Sequence, residues 1–127
     1  MKPPIGLLFT VPDRFACRES LLKGAFSVSN DVYSRQEICA RVRPLLKKYH
    51  AECAILFGSY ARGDAERRSD IDLMIVGGER FQPTDVFCIA EDLFRALGKK
   101  VDVYEQREIN ADTDFYRAIF REGVRIE

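Results

Sequence analysis

The run Leu56-Phe57-Gly58-Ser59-Tyr60-Ala61-Arg62-Gly63-Asp64, continued to Asp70-Ile71-Asp72-Leu73-Met74-Ile75-Val76, constrains the fold more than any other stretch. A hydrophobic segment ends abruptly at Gly58-Ser59, a polar turn follows, and a second hydrophobic segment opens on two aspartates one residue apart. Short apolar runs bounded by glycine and polar residues read as buried strands. Side chains two apart on a strand share a face. Asp70 and Asp72 therefore stand side by side, while Ile71, Leu73 and Ile75 point into a core.

That pairing has chemical consequences. Adjacent carboxylates repel, and a cation offsets their charge best. Oxygen ligands with no histidine or cysteine nearby favour Mg²⁺ or Mn²⁺. Glycine at position 58 lets the backbone approach a phosphate closely, and the N–H groups after it, with the Ser59 hydroxyl, can bind phosphate oxygens. Alone, an Asp-x-Asp pair is more often a turn former at a strand end, and Gly-Ser is ordinary loop material. Joined across residues 58–69, the two make a metal–phosphate arrangement. Asp102 adds to it, because it interrupts an otherwise apolar strand and a strand aspartate without a partner is costly. A place beside Asp70 and Asp72 on a neighbouring strand explains it most economically.

The remaining chain supplies the scaffold. Ser34-Arg35-Gln36-Glu37 fits a capping box, and Ile38, Val42, Leu45, Leu46 and Tyr49 follow at helical spacing. Pro44 inside that pattern predicts a kink, or a break near Arg43. Residues 51–57 read as the first core strand, with Cys53, Ile55 and Phe57 on one side, and residues 70–76 as the second. Residues 84–97 form a helix with Val86, Ala90, Leu93 and Leu97 on one stripe and Phe87 and Phe94 beside it, stopped by Gly98. Residues 100–105 form a third strand, Val101 and Val103 inward, Asp102 and Tyr104 on the other face. A last helix over 112–121 packs Phe115, Ile119 and Phe120, and residues 124–126 are an extended tail. The expected fold is α+β (α/β-like), one small mixed sheet backed by helices, over residues 34–127. Residues 1–33 are a separate N-terminal extension without clear period, with an edge strand at 5–11 and a short helix at 18–26 as its readings.

Composition narrows the partners. The 127 residues carry no formal net charge, with basic and acidic residues mixed. A protein gripping a long nucleic acid needs a concentrated basic face. Cys17, Cys39, Cys53 and Cys88 form no CxxC pair, and His50 is the single histidine. A zinc site is not indicated, and the cysteines read as buried thiols of a reducing cytosol. No segment approaches the roughly 20 apolar residues that span a bilayer, and the N-terminus lacks a small-residue cleavage site. The expectation is a cytoplasmic protein. Arg62 is either a phosphate contact or a solvated loop arginine. Arg67, Arg68, Asp64 and Glu66 read as solvated charge and His50 as structural.

Gly58-Ser59, then Asp70-Ile71-Asp72, with Asp102 in a later strand, resembles the minimal nucleotidyltransferase (MNT) group of the DNA polymerase beta superfamily. Phe57, Tyr60-Ala61-Arg62-Gly63, Ser69 and the ending Arg121-Glu122-Gly123-Val124 share the resemblance, which spans residues 34–127. It implies a polymerase-beta-like nucleotidyltransferase fold in which Gly58 and Ser59 hold the triphosphate. Asp70 and Asp72 would bind two Mg²⁺ ions, and Asp102 would ligate one of them and help activate the attacking hydroxyl. The implied reaction moves a nucleoside monophosphate, AMP from ATP, to a hydroxyl acceptor. The group implies a HEPN-domain toxin as partner, adenylylated on a tyrosine by an MNT antitoxin. Two alternatives stand beside this reading: an antitoxin neutralising its partner by contact alone, and nucleotidyl transfer to a small molecule such as an aminoglycoside. The long N-terminal extension departs from the group and leaves the oligomeric state open.

Overall fold

The computed structural model describes Ser29 and residues 31–127. The edge strand expected at 5–11 and the helix expected at 18–26 lie outside the described residues.

The first helix, α1 (Arg35–Lys48), starts where the capping box predicts. The Ser34 hydroxyl accepts from the Glu37 amide at 3.1 Å, and the Glu37 carboxylate accepts from the Ser34 amide at 2.8 Å. The expected break does not occur: α1 runs unbroken through Pro44. An interior proline costs about 3 kcal/mol. Ile38, Val42 and Leu46 are buried on both sides of it, and each contributes about 1.5–3 kcal/mol. Tertiary burial wins over the local rule.

Strand β1 (Cys53–Phe57) is buried along its whole length. It pairs antiparallel with β2 (Ile71–Val76), Phe57 opposite Asp72 and Cys53 opposite Val76. Helix α3 (Asp85–Leu97) then crosses to β3 (Val101–Glu105), which lies parallel to β2. It follows a single helical turn, α2 (Ser59–Arg62), in the chain. Gly98 ends α3 in the left-handed region at φ 70° and donates its amide to the Phe94 carbonyl at 2.7 Å. A short 3₁₀ turn at Gln106–Glu108 leads to α4 (Asp114–Glu122). The expected tail is the fourth strand, β4 (Val124–Ile126), antiparallel to β1 on the sheet edge. Sheet order is β3-β2-β1-β4.

Period two divides the sheet into unlike faces. Ala54, Leu56, Ile71, Leu73, Ile75 and Val101 lie under α1 and α3 and join the larger core. Ile55, Phe57 and Met74 face the other way, where Ile119 of α4 covers them. The aromatic residues expected to pack are only partly covered: Phe87, Phe115 and Phe120 are all exposed. A helix as short as α4 brings only Ile119 fully onto the sheet. No helix among the described residues is long and apolar enough to cross a membrane.

Candidate active site

The site forms at one end of the sheet, on the face that α4 half covers. Asp72 lies opposite Phe57 on β1 and opposite Asp102 on β3. Directly paired residues present side chains to the same face, so Asp102, Asp72 and Phe57 make one row across three strands. Asp70 precedes Asp72 by two and shares its face. The Ile71 amide donates to the Lys100 carbonyl at 3.0 Å, which fixes β2 against β3 at this point.

Gly58 closes the row from the side. It adopts φ 77°, where L-residues are strained, and a Cβ built there would run into the Asp72 carboxylate. Only glycine satisfies both demands. The chain then turns into α2, whose first amides, at Ser59 and Tyr60, have no partner within the helix. Gly63 ends that turn at φ 88°. Residues 63–70 are pinned from outside by the buried Lys99 ammonium, which donates to the Arg67 carbonyl at 2.6 Å, and from within by the Ser69 hydroxyl, which accepts from the Glu66 amide at 2.8 Å.

The electrostatics follow from this crowding. The carboxyl of Asp72 is pushed up to about 6, first by burial and then by the negative charges of Asp102 and Asp70, against the pull of Lys100 and Arg62. Lys100 stands between the outer carboxylates, its ammonium 3.7 Å from Asp70 and 3.6 Å from Asp102. Burial raises the Tyr104 hydroxyl, and so do Asp102 and Asp72, which places that hydroxyl within electrostatic reach of both.

Gly58, Asp70, Asp72 and Asp102 thus converge as expected, with Ser59 next to Gly58 in the chain. Arg62 is more committed than either of its readings: it pairs with Asp64 and Glu122, each at 3.3 Å. Asp64, read as solvated, is exposed but carries that ion pair. Two features escaped sequence reasoning. Lys100 shares the parity of Asp102, and that was its available signal. The ring cluster of Phe57, Tyr104 and Phe115, with centroids 5.7 to 6.0 Å apart, needs the helix-to-sheet packing to be seen.

The donor set fits a hard divalent cation. Three carboxylates share one face, and the central one is held above its ordinary value by burial and then by its negative neighbours, a cost that added positive charge relieves. Among the described residues no three acidic, histidine or cysteine side chains are drawn into a closed coordination set. Lys100 supplies the positive charge between Asp70 and Asp102 instead.

Residues 41–127 match the family model described as polymerase beta, nucleotidyltransferase. A Methanocaldococcus jannaschii protein named as a protein adenylyltransferase is 36% identical over 74 residues, covering 58% of this chain and 80% of the relative. A second from the same organism, named likewise, is 37% identical over 78 residues, covering 59% and 78%. Among solved structures, a toxin–antitoxin with AMP-PNP superposes with a TM-score of 0.59 at 24% identity, over 68% of this chain and 70% of that one. A tri-AMPylated Shewanella oneidensis HEPN toxin in complex with an MNT antitoxin gives 0.54 at 21% identity, over 71% and 69%. Those two likenesses speak for the fold. The family model reaches further, since it takes in the glycine turn, the Asp70–Asp72 strand and Asp102 in a single match, and by it the chain belongs to the polymerase beta nucleotidyltransferase family.

Proposed function

We propose that this nucleotidyltransferase moves AMP from ATP to a tyrosyl hydroxyl of a HEPN-type partner protein, and so acts as the antitoxin of a pair. The observation that carries the reading is the direct pairing of Asp72 with Asp102, with Gly58 held against Asp72. A silent site has no physical need for three clustered carboxylates, one of them disfavoured in its charged form by burial and by the other two. The choice of AMP and of a protein acceptor draws on the relatives named as protein adenylyltransferases and on the toxin–antitoxin structures.

Each residue has a role. Asp70, Asp72 and Asp102 would hold Mg²⁺, which supplies neutralising charge to the triphosphate and the leaving group. The Ser59 hydroxyl and the first amides of α2 orient the β- and γ-phosphates. Asp102, at the outer strand, accepts the proton of the attacking hydroxyl. The acceptor oxygen bonds to the α-phosphorus as the bond to the β-phosphate bridging oxygen breaks, and pyrophosphate leaves. Arg62 adds a phosphate contact once Asp64 or Glu122 releases it. We place the protein in the cytosol, where the buried Cys39, Cys53 and Cys88 remain reduced.

The test is label transfer from α-labelled ATP with Mg²⁺ to the cognate HEPN-type protein. Labelling by the wild type that disappears in Asp72→Asn is the expected result. Unchanged labelling by that variant removes the catalytic assignment. Neutralisation that persists without any labelling would make the chain a contact-only antitoxin.

A further inference from the structure

Phe115 is the most exposed ring near the carboxylate row, with 46% of its surface open. It stands at the start of α4 and meets Phe57 at 5.7 Å and Tyr104 at 6.0 Å, both edge to face. Each of those supports belongs to the site. Phe57 lies directly across the ladder from Asp72, and Tyr104 follows Asp102 by two on the same face. The phenyl ring is therefore braced from the carboxylate side while much of it faces solvent. Edge-to-face packing on two rings fixes its orientation at little entropic cost.

Phe115 thus keeps an open surface while it packs on two rings that share the sheet face of the carboxylates. It suits a ligand that is flat and apolar at one end and phosphorylated at the other. We propose that Phe115 is a stacking platform for the nucleobase of the donor nucleotide, with Phe57 and Tyr104 as the positioning residues that hold its ring. This rests on the nucleotidyl-transfer reading and deepens it by assigning the base end of the substrate. The acceptor ring is the other flat group in the reaction. The donor is favoured because its base is tethered to the phosphates that the Gly58 turn and the carboxylates hold. A tether keeps the ring's local concentration high at a platform on the rim of the site.

Stacking on one aromatic face is sequence-tolerant, since every base has a π-face. Phe115 would thus favour purines over pyrimidines by ring size without reading a particular hydrogen-bond edge. The mechanism separates base from phosphate, and so does the experiment. Binding of ATP and of inorganic tripolyphosphate, each with Mg²⁺, is measured by calorimetry on the full-length wild type, Phe115→Ala, Phe115→Leu and Phe115→Tyr. ATP affinity should fall about tenfold in the first two variants, in line with base–aromatic stacking. It should return in Phe115→Tyr, and tripolyphosphate affinity should stay within about twofold throughout, because that probe has no base to stack.

Three outcomes overturn the platform. Equal losses for ATP and tripolyphosphate would make Phe115 a structural prop. Full ATP affinity in Phe115→Leu would replace stacking by plain apolar contact. Unchanged ATP affinity with a raised KM for the acceptor protein would assign the ring to the acceptor side. A wild type that binds neither probe overturns the nucleotidyl-transfer reading itself, and the platform falls with it.

Discussion

The two faces of this sheet are built from the same strands and do opposite work. Under α1 and α3, Leu56, Ile71, Leu73 and Ile75 are sealed from solvent, and the cluster they join extends from Ile38 to Ile126. On the other face, among the described residues, only Ile55, Phe57, Met74 and Ile119 form a buried cluster. The same strands run out there into Asp72 and Asp102, with Phe115 open beside them. Alternation along a strand makes this division possible, since one residue of each pair can stabilise while its neighbour is free for chemistry. The lesson is that burial on the sealed face tolerates the repulsion concentrated on the open one. Substitutions on the two faces should separate cleanly, stability from activity.

Asp72→Asn should show the largest separation. Transfer activity is expected to fall by about 10³-fold, the scale of losing a principal electrostatic group at a reacting centre. Stability should move the other way. The folded-state value of about 6 lies above the unfolded carboxylate value, so Asp72 favours the native state while protonated. That contribution is complete below the unfolded value and is lost as pH rises through about 6. At pH 7–8 the ionised group is a cost, and the asparagine variant should be more stable by on the order of 1 kcal/mol, since solvent screens a half-buried carboxylate. Thermal melts from pH 3.5 to 8 check this. The curves should converge at the acid end, and a variant less stable than wild type at pH 8 contradicts the electrostatic account.

Leu73→Ala makes the reverse test, one residue along the same strand. Leu73 is fully buried between the sheet and its helices. Truncation should cost about 3 kcal/mol in denaturant unfolding. Activity per folded molecule should stay within about twofold, because the Asp72–Asp102 pairing is carried by the backbone ladder and moves little when one core side chain is cut. A catalytic loss matching that of Asp72→Asn would show the faces to be coupled.

Gly58→Ala should damage both properties. The positive φ costs about 1–3 kcal/mol for an L-residue. The new methyl would also displace the Asp72 carboxylate. A stability loss of about 2 kcal/mol together with lost transfer is expected, read by chemical denaturation and the label assay. Retained activity would show that the close approach of Gly58 to Asp72 does not position the carboxylate.

How much of this was legible beforehand depended on whether the deciding physics was local. Parity alone grouped Asp70 and Asp72, since it needs only neighbours along one strand, and the cost of an unpartnered strand aspartate joined Asp102 to them. The capping box of α1 and the Gly98 stop were local for the same reason. The break offered as one reading of Pro44 does not occur, because Val42 and Leu46 find a core on either side of it. Residues 115, 119 and 120 read as one packed group, yet of the three only Ile119 is buried, a fact set by where α4 lands. The contact between Gly58 and Asp72 depends on the register of β1 against β2, which no single segment specifies. Lys100 obeyed the parity of Asp102 but looked like any charged residue at a strand start.

Lys100 gives the finest test of the division between faces. Its ammonium is shared by Asp70 and Asp102, and its side chain is 70% exposed. Exposed ion pairs contribute between roughly zero and 1 kcal/mol each. Removing the charge should therefore cost little stability. A metal ion entering the row must displace that ammonium or tolerate its repulsion, so Lys100→Met should bind divalent metal more tightly than wild type, by about three- to tenfold. Mn²⁺ titration followed by electron paramagnetic resonance measures this without nucleotide or acceptor present. Added Mg²⁺ should likewise raise the melting temperature of Lys100→Met more than that of the wild type, since binding to the native state stabilises by mass action. Weaker metal binding in Lys100→Met would mean that the lysine organises the carboxylates, and the open face would then owe part of its geometry to a charge, not to the sealed core beneath it.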